Sequence, residues 1–117
     1  MALHVPELAS LTFQRITFDL KKLFKKILPP YKRTVDKWVP DKGQIWDMKH
    51  QFSKVPAGQA DDYLSLIGKA APDGKIVKTV NYLFPTKEAA ELNKHLSSVY
   101  KFGVHYIDDV TNKLVKL

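Results

Sequence analysis

Cysteine is absent from this chain, which removes disulfides, thiolate nucleophiles and Cys-ligated zinc or iron–sulfur sites. Long apolar runs are missing too. No stretch approaches the roughly 18 uninterrupted apolar residues of a membrane span. Nor does the start of the chain carry a basic region followed by an apolar block, so neither a secretory leader nor a transmembrane anchor is expected. Glycine is sparse. Gly43, Gly58, Gly68, Gly74 and Gly103 stand alone, and no GxxxxGK[ST] phosphate loop occurs. Arginine is reduced to Arg15 and Arg33, which leaves little for bidentate reading of bases.

The residues of catalysis are present but scattered. His4, His50, His95 and His105 form no HExxH and no i,i+4 pair. The adjacent acids Asp61-Asp62 and Asp108-Asp109 do not converge, because helix neighbours point about 100° apart and strand neighbours point to opposite faces. With no nucleophile and base in a recognisable arrangement, the expectation is a protein that is not an enzyme and holds no metal or cofactor.

What the chain does have is lysine, unevenly placed. Its net charge is +7. Residues 15–54 hold eleven basic side chains against four acidic ones, and the remainder is balanced at eight of each. Segregation of this kind within one domain is what a surface for a polyanion requires. At 117 residues, 44% apolar and 26% charged, residues 1–117 read as a single basic α+β domain large enough for one core.

Ser10 to Leu28, SLTFQRITFDLKKLFKKIL, reads as one amphipathic helix. Phe13, Ile16, Leu20, Leu23, Phe24 and Ile27 share one arc, with Lys21, Lys22, Lys25 and Lys26 opposite and Leu11 and Phe18 set among the lysines. A strand over Thr12–Phe18 competes, because its threonines, phenylalanines and isoleucine suit sheets, but the longer period favours the helix. Pro29 and Pro30 end it.

Beyond the prolines, Pro40-Asp41-Lys42-Gly43 between runs containing Trp38 and Trp46 marks a hairpin or a wide loop, with a short helix over Gln44–Phe52 as the alternative. Ala60, Tyr63, Leu64, Ile67, Ala70 and Ala71 have helical spacing. A hairpin through Ala71–Gly74 is the rival there. Lys75–Phe84 is the clearest strand, Thr86 caps a helix reaching Tyr100 with Gly103 at its left-handed end, and residues 104–117 read as strand, turn, strand. A strand, helix, strand order over 75–108 predicts a parallel crossover. The expected fold is therefore a small mixed sheet with helices packed on one face.

Under the rival hairpin the order resembles the split βαβ arrangement of ferredoxin-like domains, including the RNA-recognition motif. Leu3-His4-Val5-Pro6-Glu7-Leu8 is similar to that family's first strand, Asp19-Leu20-Lys21-Lys22-Leu23-Phe24 to its first helix, and Tyr82-Leu83-Phe84 followed by Lys87-Glu88-Ala89-Ala90 to its third strand and second helix. The family's exposed third-strand aromatics would fall on Thr79 and Asn81. No binding residue is carried over.

These observations predict a non-catalytic nucleic-acid-binding protein, an accessory or structural part of a nucleoprotein complex. It would track RNA or DNA phosphates with low sequence specificity through Lys21, Lys22, Lys25, Lys26, Lys32 and Arg33. Phe18, Tyr31 and Trp38 are its candidate stacking or interface residues. The alternative is an adaptor subunit of a larger assembly that uses the aromatic-rich segment 18–55 as a protein interface. A lesser alternative lays helix 10–28 on an anionic membrane surface. The location expected is intracellular, and the acid-poor lead before Pro29 also admits a mitochondrial address.

Overall fold

The computed structural model of the chain describes residues 6–117. Its centre is a six-stranded mixed sheet whose strands lie in chain order. Strand β1 (Gln14–Asp19) pairs antiparallel with β2 (Lys32–Val39), and β2 antiparallel with β3 (Gln44–Met48). Then the sheet changes sense. Strand β3 runs parallel to β4 (Thr79–Phe84), β4 runs parallel to β5 (Gly103–Ile107), and β6 (Leu114–Lys116) closes the far edge antiparallel to β5.

The β2–β3 hairpin forms where the proline and glycine signals placed it. A 3-10 turn at Pro40–Lys42 hands over to Gly43 at φ +63°, and the Gly43 carbonyl accepts from the Lys78 and Thr79 amides at 2.8 and 3.2 Å. A side chain at that position would run into the Ile76 carbonyl. Gly43 thus sets the turn and lets β4 approach.

The parallel steps need crossovers, and helices supply them. Helix α3 (Ala57–Leu66) links β3 to β4, while α4 (Lys87–Leu92) and α5 (His95–Ser98) link β4 to β5. Ala60, Tyr63 and Leu66 of α3, Ala89 and Ala90 of α4, and Leu96 of α5 bury against Phe18, Val35, Ile45, Val80, Tyr82, Phe84 and Val104 of the sheet. Alternation along the strands turns Trp46 and Leu83 to the other face. There they form a smaller cluster with Val39 and with Leu8 of the short helix α1 (Pro6–Ala9).

Several expectations are corrected. The helix over Ser10–Leu28 does not form: its first half is β1, and only Leu20–Phe24 is helical (α2), capped by Asp19 accepting from the Lys22 amide at 3.0 Å. The long-range ladder to β2, with Ile16 opposite Val35 and Phe18 opposite Arg33, outweighs the helical period. Phe18 therefore points into the core at 0% exposure, edge-on to Trp38 with ring centroids 6.1 Å apart. The helix 10–28 that a membrane-surface reading needs is not present.

Nor do the strands take the interleaved order of a split-βαβ domain, and the sheet is larger than a small one. Leu3, His4 and Val5 of the resembling first strand lie outside the described residues. At 57–77 both rival readings hold in part. Helix α3 is followed by a narrow antiparallel link, with Gly68 donating to Val77 at 2.7 Å and Val77 to Lys69 at 2.9 Å. The helix from Thr86 breaks at Asn93, and Lys101 at φ +63° takes the left-handed position expected of Gly103, which begins β5.

Candidate functional site

The lysine row divides. Lys21 and Lys22 are exposed on α2, Lys25 is its left-handed cap, and Lys32 opens β2. None of these four is in an ion pair among the described residues. Lys21 lies over the half-exposed ring of Tyr31, 5.6 Å from its centroid. Lys26 and Arg33 turn inward instead, to the buried carboxylate of Asp62 on α3, at 3.1 and 2.8 Å. They neutralise that charge and tie the α2–β2 loop to α3, so they are not available to phosphates in this arrangement. Of the three aromatic candidates, only Tyr31 is accessible: Phe18 and Trp38 are fully buried, and the Trp38 indole N–H is satisfied by Asp73 Oδ2 at 2.8 Å.

A second constellation was not anticipated. Asp47 and Lys49 sit at i and i+2 at the end of β3, a spacing that puts both side chains on one face of a strand. Lys49 Nζ is 3.3 Å from Asp47 Oδ1, with the two side chains only 26% and 16% exposed. The other Asp47 oxygen accepts from the Tyr63 hydroxyl of α3 at 3.0 Å. The β2–β3 ladder ends at Lys37 opposite Trp46, and β2 carries an extra residue between Val35 and Trp38. Asp36 and Asp47 line the same cavity of about 250 Å³, together with Thr34, Lys37, His50 and Tyr63.

Each carboxylate has its own cation, Lys49 beside Asp47 and Arg15 beside Asp36. Arg15 reaches Asp36 at 3.4 Å, but this pair is about three-quarters exposed on both sides and contributes little. Behind the carboxylates the wall is aromatic and protonated. Burial, and then the negative charge of Asp47, push the Tyr63 phenol well above the ordinary tyrosine value. Burial does the same to Tyr82, whose hydroxyl donates to Gln59 Oε1 at 3.1 Å. Tyr63 is thus a fixed donor that holds Asp47 in place. Lys49 passes over the Tyr82 ring, 5.9 Å from its centroid.

A second concavity, about 280 Å³, adjoins the first and shares Asp47, Met48 and His50 with it. Its floor is the 49–56 loop, latched by the fully buried Asn93: its side chain accepts from the Val55 amide at 2.7 Å and donates to the Ser53 and Ala89 carbonyls at 2.9 Å each. The site lies where the sheet changes from antiparallel to parallel pairing. Among the described residues no three His, Cys, Asp or Glu side chains form a metal cluster, and no helix is long and apolar enough to cross a membrane.

The signal for this site was present in the sequence as Asp47-Met48-Lys49, but its meaning depends on the secondary structure. On a helix, residues two apart point about 200° apart. Only the strand assignment brings them together. Comparison with known proteins adds no relative: no protein-family model, curated protein or solved structure matches this chain.

Proposed function

We propose that this chain binds nucleic acid through its basic surface and hydrolyses phosphodiester bonds at the Asp36–Asp47–Lys49 cavity with a divalent cation. The observation that carries the reading is one cavity lined by both Asp36 and Asp47 with a lysine 3.3 Å from one of them, in a chain of net charge +7. Magnesium is bound in phosphoryl-transfer sites by one or two carboxylates, completed by water and substrate phosphate oxygens. Two aspartates on one cavity meet that count without a third protein ligand.

Bound there, a cation would supply Lewis-acid charge to the phosphoryl oxygen and lower the pKa of a water. In the hydrolysis, the water oxygen forms a new bond to phosphorus and gives up a proton to solvent, one bridging P–O bond breaks, and the departing oxygen takes up a proton from solvent. The side chains have separate parts in this. Asp36 and Asp47 hold the cation, Tyr63 fixes the rotamer of Asp47, and Lys49 offers positive charge to the phosphoryl oxygens as they gain electron density. Lys32, Lys25, Lys22 and Lys21 hold the flanking phosphates. Lys32 lies four residues along β2 from Asp36, about 13 Å at strand rise.

This reading keeps the nucleic-acid partner expected from the charge and adds catalysis to it. The adaptor reading has less support, because Phe18 and Trp38, two of its three aromatic anchors, are spent on the core. The test is incubation of the purified chain with labelled single- and double-stranded RNA and DNA in Mg²⁺, in Mn²⁺ and in EDTA. Cleavage with either metal, none in EDTA, and none from Asp47→Asn or Lys49→Met with unchanged circular dichroism is the expected pattern. Salt-sensitive binding without cleavage in any metal would leave a binding protein and refute the catalytic part. No binding at low salt would refute both parts.

A further inference from the structure

The loop between α2 and β2 carries a feature that phosphate binding does not use. Ile27 is 85% exposed and Leu28 68% exposed, side by side in the chain. Exposed aliphatic pairs carry a hydration cost, and this pair is held out rather than left loose. The Leu20 amide donates to the Tyr31 carbonyl at 2.8 Å, the Tyr31 hydroxyl to the Ile27 carbonyl at 3.3 Å, and Lys26 is pinned to Asp62. The result is a braced apolar tip. Lys21 and Lys25 line one concavity with Ile27 and Tyr31, and Lys22 and Lys32 are exposed nearby in the chain.

Resting on the nucleic-acid reading above, the geometry points to a duplex as the substrate class, with Ile27 and Leu28 acting as a wedge that enters the groove and partly unstacks a base step. Charge complementarity selects this occupant. Exposed lysines beside the tip with no ion-pair partner among the described residues suit the phosphates that border a groove, and apolar Ile and Leu side chains are the type that proteins insert between base steps. Single strands offer no paired step to open, so the tip is expected to discriminate between the two forms.

The experiment measures binding of the intact chain to a 20-base-pair duplex and to either of its single strands, in EDTA so that nothing is cut. A duplex labelled at both ends reports bending by energy transfer. The variant is Ile27→Ser with Leu28→Ser, two exposed positions whose change leaves the core untouched. Expected is a loss of duplex affinity of about tenfold and a loss of bending, with single-strand affinity unchanged. The salt slope should also be unchanged, since every lysine that neutralises a phosphate is still in place. Equal duplex affinity and bending in wild type and variant would overturn the wedge while leaving the nucleic-acid reading intact. An equal loss on single strands would overturn it as well. If the wild type binds neither form but binds phosphatidylserine vesicles or an acidic protein, the nucleic-acid reading and the wedge fall together.

Discussion

Replacing Asp36 with Asn should leave the metal-free protein's stability nearly unchanged and weaken its response to magnesium, and the contrast between those two effects is the sharpest test of the site. The Asp36 side chain is 75% exposed and its ion pair with Arg15 is equally exposed, so losing that pair costs at most about 0.5 kcal/mol. For a domain of this size that changes Tm by no more than about 2 °C.

Magnesium separates the two proteins. A cation held with a Kd near 1 mM and supplied at 10 mM stabilises the wild type by about 1.4 kcal/mol, or roughly 6 °C, and the variant by much less because half of its carboxylate clamp is gone. Thermal melts of both proteins in EDTA and in 10 mM Mg²⁺ check this directly. If both proteins shift equally with magnesium, the two carboxylates are not a shared cation site and the reasoning fails.

The remaining predictions concern neighbouring elements. Changing Lys21, Lys22 and Lys25 together to Glu should weaken nucleic-acid binding strongly and reduce the salt slope by about 0.9 for each phosphate left without its lysine, measured by fluorescence anisotropy at several salt concentrations. Tyr63→Phe should lower hydrolysis by about tenfold while Tm changes by only a few degrees, because it frees Asp47 from its donor rather than removing a ligand; kinetics at saturating Mg²⁺ distinguish the two. Asn93→Ala should cost about 2–4 kcal/mol in urea unfolding, since three bonds to the 49–56 loop and α4 go with it, two of them buried.

His105 supplies a pH signature. Its ring nitrogens are buried without partners and it packs against Trp46, centroids 5.0 Å apart. Burial, followed by the charge of Lys116, lowers its pKa to about 4. The unfolded chain therefore binds a proton that the folded chain does not between pH 6.5 and about 4. This part of the stability is fully present above pH 6.5 and is lost as pH falls toward 4. His105→Phe should flatten the Tm-against-pH curve in that window.

Much of the fold was legible where local chemistry decides it. The Pro40–Gly43 turn, the α3 stripe through Ala60 and Tyr63, the Thr86 cap and the parallel β4–β5 crossover all rest on signals confined to a few residues. Ser10–Leu28 misled because its period suits a helix while its partner, β2, lies beyond the prolines, and a ladder to a distant strand leaves no local mark. The site was hidden for the same reason. Lys21, Lys22, Lys25 and Lys32 could be picked out by charge alone, whereas Asp36 and Asp47 come to one cavity only through the folded sheet. Asp62 could not be identified as the counter-ion of Lys26 and Arg33 without α3 packed over the sheet.

Strands laid down in chain order also say something about how the protein comes into being. Asp36 and Asp47 are eleven residues apart, joined by one tight turn, so the pair belongs to a hairpin that can close within microseconds, without waiting for β4, β5 or any crossover. Closing that turn costs little chain entropy compared with the parallel pairings, which must gather 35 residues between Ile45 and Val80. During synthesis both carboxylates would emerge before Tyr63 and the rest of α3 have left the ribosome. The antiparallel half of the sheet, β1 to β3, is thus able to form before the parallel half, and the helix that orients Asp47 is a later addition.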